Sequence, residues 1–382
     1  MIDDKYKKTI EVLEAIQLSY YEDYNLHNDN DNISYKQKVE TAIEYNSKLL
    51  FYKNKLSTSQ IEKMIHDIFS DDKDVLTKYQ PKDLGLYYKY MFEKLRDAAD
   101  YLFGFKKFNI PIYGTVYSLG FHAHVMKEKE SYPFIVISRG VRFFAISICK
   151  IVALAYQIHE IPGGGIDIVL NEKIILHNIK NRGLDGAFLL LFFHRILFGK
   201  CHIINLQSPS AHYDELMLIL FHSYDCFTLA HEYAHCILGH LDFNIGKDQW
   251  LMENEADFCA MYLTIKAFGN EVDQTFLILG IYIFLKVLET IEKIRLEMIE
   301  KKCNSRHPPI AQRIETLYDF LIFCKIPYDE LDFKLIDLLF DRLYICFYDN
   351  VICHIKKQIN ELSKQEADKA YKDLENGLNF YT

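Results

Sequence analysis

The sequence lacks the features that would make it secreted, membrane-spanning or nucleic-acid-binding. Its nine cysteines include no C-x-x-C pair and no framework spacing, which excludes a disulfide scaffold and points to a reducing compartment. Positive charge is not in excess: 44 Lys and Arg stand against 53 Asp and Glu, a net charge of -9. That is the reverse of a nucleic-acid footprint. The longest apolar runs, "AFLLLFFH" from Ala187 and "TFLILGIYIFL" from Thr275, fall short of the roughly 20 residues a bilayer span needs. The first residues, "MIDDKYKKTIEVLEAI", are charged throughout and offer no signal-peptide core. Tryptophan occurs once, and no internal repeat stands out. The expectation is a soluble cytoplasmic protein with no nucleic-acid partner and no membrane insertion.

What remains is an ordinary globular composition, half hydrophobic and a quarter charged over 382 residues. Such a chain can bury a large core in one domain or in two to three smaller ones. Three regions are expected. Residues 1–105 read as helical: "SQIE" from Ser59 is a capping-box pattern, and "YYKYMFEKLRDAADYLFGF" carries aromatics at helical spacing. The Asn/Asp-rich "NLHNDNDNIS" (25–34) reads as a surface loop.

Residues 106–320 hold the chemistry. Between about 109 and 178, "IPIYGTVYS", "FHAHVM", "PFIVIS" and the pair "IDIVL" and "KIILH" are short β-rich runs, with "RFFAISICKIVALAYQI" a buried helix among them. "PGGG" at 162–165 is a turn, since it has neither the Lys-Ser/Thr of a P-loop nor G-x-G-x-x-G spacing. From 186 onward helices are expected, at 211–240, 253–268, 272–302, 309–323 and 330–376. Residues 321–382 form a C-terminal helical region. The fold class is therefore α+β, mostly helical, with a small antiparallel or mixed sheet packed on a two-helix site.

That site begins at "HEYAHCILGH", residues 231–240. In a helix, His231 and His235 project from one face, one turn apart. Two imidazoles so placed can hold one tetrahedral zinc and leave two positions free. Glu232 is rotated by about 100° from His231 and can stand beside the metal as a general base without being a ligand. A similar start, His159-Glu160, has Gly163 where a second histidine would be needed and Pro162 to break a helix.

Eighteen residues after His235 comes "ENEADFCA". On a crossing helix Glu253 is the third ligand, giving a His₂Glu set with an open position, the pattern of catalytic zinc. Asp257, one turn on, is placed to accept the other ring N–H of a ligating histidine. Ala256 and Ala260 let the helices approach. Glu255 points some 200° around the helix from Glu253 and faces away. His194 and His222 lie in apolar helical runs and read as core groups, whereas His122 and His124 alternate along a strand and line a sheet face.

"HEYAHCILGH" with "ENEAD" resembles the gluzincin metallopeptidases, whose third ligand is the first Glu of E-x-x-A-D/N. Gly239 and His240 fall at the ninth and tenth positions of the motif, which excludes a metzincin. Within gluzincins the chain is similar to the ImmA/IrrE-like and the Lit-like phage-exclusion peptidases. The resemblance implies one zinc ion per chain on His231, His235 and Glu253, Glu232 as base, and a substrate bound along a sheet edge. "SRHPPIAQRIETL" (305–317) is similar to a segment downstream of the zinc site in the HtpX and CAAX-protease-like gluzincins. By that likeness His307, with Arg306 or a Tyr as alternate, stabilises the oxyanion. A zinc endopeptidase acting on an intracellular protein in a regulatory or defence role is thus implied. The helical ends are left for a regulatory protein or peptide partner. The alternative is a non-catalytic zinc-binding sensor or interaction module, which would have no use for Glu232.

Overall fold

Strand-forming residues cluster between Ile112 and Val169, and the described chain on either side of them is helical. The computed structural model describes residues 4–23, 57–59, 77, 82–104, 108–120, 123–128, 130–161, 165–201, 203–241, 248–299, 307–361, 366 and 369. Among the described residues, the N-terminal helices are α1 (Asp4–Asp23) and α2 (Lys82–Phe103). Next come β1 (Ile112–Val116), β2 (Ala123–Met126), β3 (Phe134–Ser138), α3 (Arg139–Ala155), β4 (Gln157–Ile161) and β5 (Gly165–Val169). Helices follow: α4 (Glu172–Asn181), α5 (Leu184–Phe198), α6 (Ala211–Ile237), α7 (Gln249–Phe268), α8 (Gln274–Ile299) and α9 (Ile310–Phe323). The last are α10 (Glu330–Phe347), a π-helical turn (Tyr348–Ile352) and α11 (Cys353–Asn360). The fold is α+β and mostly helical.

The sheet is mixed, in the order β1-β3-β2. β3 lies parallel to β1 (Ile112 opposite Phe134) and antiparallel to β2 (Val125 opposite Ile135). "FIVIS" is buried at every position, as a central strand covered on both faces requires. β2 is half-buried and forms an edge. A separate hairpin pairs β4 with β5.

Some details differ from the sequence expectation. "KIILH" is helical, within α4, because the Asn171 side chain accepts from Ile174 N and caps it. β5 then pairs with β4, from "QIHEI", which ends what read as one longer helix. His159 and Glu160 therefore sit on a strand. The last long helix is interrupted by the π-helical turn. The 25–34 loop and most of the "SQIE" segment lie outside the described residues.

α6 is the axis of the helical body, packed against α3, α7 and α8. Small residues permit the closest contacts. Ala230, Ala234, Ala256 and Ala260 are fully buried, and Gly280 of α8 lies so near α6 that an added Cβ would meet Ser223 Cβ at 2.3 Å. Arg142 of α3 lies 3.9 Å from buried Asp225 of α6 and over the rings of Tyr87 and Phe221, tying α2 and α3 to the axis. One continuous core joins α2 to α11. Gln274–Met298 has the length and hydropathy of a membrane span, but 72% of its most apolar window is buried inside the protein. That is the burial of a core helix.

α1 packs on the sheet, where Leu13 joins Ile112, Val116, Phe134 and Val136 in a second, smaller core. Polar contacts lock it there. Gln17 donates to Thr115 O, Tyr132 N donates to Thr9 Oγ1, and Lys8 pairs with Glu130.

Candidate metal centre and active site

α6 carries both histidines of the motif on one face, and the reverse from α6 into α7 brings the acidic segment across from them. His231 Nε2 and His235 Nε2 are 3.2 Å apart. Glu253 of α7 offers Oε2 at 3.3 Å from His231 Nε2 and Oε1 at 3.5 Å from His235 Nε2. Donor atoms of these three residues lie within 4.8 Å of one another. Two imidazole nitrogens and a carboxylate oxygen that converge in this way fit a zinc-sized cation.

The two imidazoles sit in opposite electrostatic settings. Burial opposes a charge on His231, but Asp257 and Glu253 outweigh it and raise the ring to about 10. Burial and the charge on His231 push His235 down to about 3. The carboxylates thus favour the charged form of His231, and burial favours the neutral form of His235. Burial works against the ionised Glu253, yet His231 and His307 hold it well below the usual carboxylate range.

Asp257 Oδ1 stands 2.9 Å from His231 Nδ1, on the far side of the ring from Glu253. Its carboxylate is wholly buried and receives Arg313 of α9 in a two-pronged contact, Nε to Oδ2 and Nη2 to Oδ1, both 2.6 Å. Burial alone would raise Asp257; Arg313 and His231 bring it below its ordinary value.

Glu232 leaves α6 at a different angle and meets the sheet instead. Val125 N of edge strand β2 donates to its Oε2 at 2.7 Å. Burial lifts this carboxyl to about 7, a rise that the Val125 contact and the charge on His231 moderate. A carboxylate poised there can exchange a proton near neutral pH.

The turn before α9 brings His307 to the site, with Nδ1 2.9 Å from Glu253 Oε2 and the ring about one-third exposed. Arg306 and His122 lie outside the described residues. His124 is on β2, half-buried, and burial lowers it. His222 packs edge-on against Phe268, and His194 lies against Phe198.

Sequence reasoning missed three contributors. Arg313 lies within the quoted "SRHPPIAQRIETL" but was given no role there, and the structure pairs it with buried Asp257. His240 and Glu255 were set aside, yet His240 Nδ1 is 2.8 Å from His235 Nδ1 and its Nε2 is 3.1 Å from Glu255 Oε2. The available signal was Gly239, whose place after the helix predicts a chain reversal. A cavity of about 680 Å³ lined by Tyr6, Tyr132, Tyr233 and Cys236 contacts the opposite face of α6 from the imidazoles and is not this site.

The described residues thus bring together three side chains that could hold a metal ion beside the half-buried carboxylate of Glu232, an arrangement that suits metal-assisted hydrolysis. Comparison with known families narrows the class: the family described as Peptidase U49 matches residues 214–323, from the first turn of α6 through α9. The match supports a peptidase family, the Lit-like one. No curated protein and no solved structure matches the chain.

Proposed function

We propose that this protein is a zinc-dependent endopeptidase that cuts an intracellular protein substrate. The observation that carries the reading is the convergence of His231, His235 and Glu253 beside a carboxylate that is not one of the three. His231, His235 and Glu253 would hold the ion. When bound, zinc would polarise the scissile carbonyl and acidify water at the open position. Glu232, fixed by the Val125 amide, takes the proton from the attacking water and returns it to the leaving amine. His307, a partly exposed ring 2.9 Å from Glu253, donates toward the oxyanion. Asp257 and Arg313 hold the His231 ring in the orientation binding requires.

Free thiols at all eight described cysteines suit a reducing cytoplasm. A regulatory or defence role rests on the Lit-like resemblance, and the helical ends are the surfaces offered to a controlling partner. The test is elemental analysis joined to proteome-wide N-terminal labelling of cells expressing wild type or Glu232→Gln. About one zinc per chain in both proteins, with new N-termini only for wild type, is expected. New N-termini of equal abundance with Glu232→Gln would remove the base from the mechanism.

A further inference from the structure

We propose that His240 is a positioning residue for the ligand His235, and that Glu255 fixes the tautomer of His240. This inference rests on the reading of the site as a zinc centre and extends it to a second supporting arm. The backbone creates the contact. α6 ends with Gly239 in the left-handed region (φ 69°), Gly239 N bonded to Cys236 O and His240 N bonded to His235 O. This six-to-one closure folds the residue after the glycine back over the third helical residue from the end, where two apolar side chains commonly meet. Here the two residues are His240 and His235, and their rings meet through nitrogen.

Two imidazole nitrogens 2.8 Å apart require one donor and one acceptor. His235 turns Nε2 toward Glu253 and His231, so a cation there takes the Nε2 lone pair and leaves the proton on Nδ1. His240 Nδ1 must then accept. Its own proton is confined to Nε2, which faces the carboxylate of Glu255 at 3.1 Å. An ionised carboxylate can only accept. Each step dictates the next, and the chain runs one way from His235 through His240 to Glu255.

The arm complements the one on His231. Asp257 and Arg313 are buried, whereas the second arm passes through a His240 side chain 2% exposed and ends at a Glu255 side chain 40% exposed. An apolar residue at 240 would serve the helix closure equally well but would strand the His235 N–H in a buried place. That difference separates a positioning role from a merely structural one.

The experiment is a zinc competition titration against a chromophoric chelator, using the full chain. His240→Leu keeps an apolar closure and removes the acceptor; affinity should fall about 10- to 100-fold. His240→Asn offers an amide oxygen near the Nδ1 position and should restore binding to within about threefold of wild type. Glu255→Gln should weaken wild type several-fold and add nothing to His240→Leu, as coupling through one chain demands. Affinity of His240→Leu within about twofold of wild type would overturn the inference. Zinc held equally by wild type and a His231/His235 double alanine variant would instead overturn the metal reading, and this inference with it. Nitrogen-15 histidine spectra of zinc-loaded wild type need no substitution. They should show the proton on Nδ1 of His235 and on Nε2 of His240, and a proton on Nδ1 of His240 would refute the chain.

Discussion

Arg313 and Asp257 are each nearly inaccessible, so neither charge is cheap to leave alone. Arg313→Leu leaves the buried Asp257 carboxylate with His231 alone and is expected to cost about 3–5 kcal/mol, read as a lower denaturant midpoint. An unchanged midpoint would mean that Asp257 does not depend on Arg313 for its burial. His231 makes metal binding proton-linked. Asp257 and Glu253 raise the ring above its ordinary value, which favours a proton there that zinc must displace. Affinity should therefore rise with pH through the neutral range, with a proton released on binding at pH 7. Calorimetry in buffers of different ionisation enthalpy measures that proton, and release near zero would contradict the assignment. For His307, alanine should leave zinc content and KM near wild type and lower kcat by about 100- to 1000-fold. If zinc leaves together with activity, the ring acts by holding Glu253 rather than the oxyanion.

At the scale of elements, one glycine sets how closely α8 approaches α6, the helix that carries His231 and His235. A Cβ at Gly280 would lie 2.9 Å from Leu220 O and 3.0 Å from Tyr224 N as well as against Ser223. Backbone cannot yield as a side chain can, so Gly280→Ala should force the helices apart and cost about 1–3 kcal/mol. A thermal melt equal to wild type would show the packing to be looser than drawn. The same scale explains what the sequence disclosed. The i, i+4 spacings of His231 with His235 and of Glu253 with Asp257 were legible because helix geometry converts spacing into direction. "KIILH" was misread because its β-branched residues outweighed an asparagine cap, a local signal of one residue. The pairing of Arg313 with Asp257, and the meeting of Val125 with Glu232, span 56 and 107 residues. Nothing in local periodicity encodes contacts that tertiary packing alone creates. His240 was nearer to hand, since Gly239 announced the reversal, but the identity of the partner appears only once the turn is built.

Over the whole molecule, zinc should act as a stabilising ligand, because the three donors come from two helices that the metal would clamp. At a free concentration 1,000 times Kd, binding adds about 4.1 kcal/mol. Chelation should lower the melting midpoint of wild type and leave the His231/His235 double alanine variant unmoved; equal shifts would point to zinc elsewhere. The main core and the small core beneath α1 meet at the three-stranded sheet. The proposed ligands ride on helices of the main core, and the sheet whose edge amide meets Glu232 lies between the two cores: Val125, Ile135 and Ile137 pack on the main one, while Leu13, Thr9 and Gln17 fasten the sheet on the side of α1. Metal retention and turnover are therefore separable by heat. Weakening the outer fastening, as with Leu13→Ala, should let the strand drift from the base while the ion stays seated: an enzyme that idles before it unfolds, and that recovers on cooling without being supplied again with zinc.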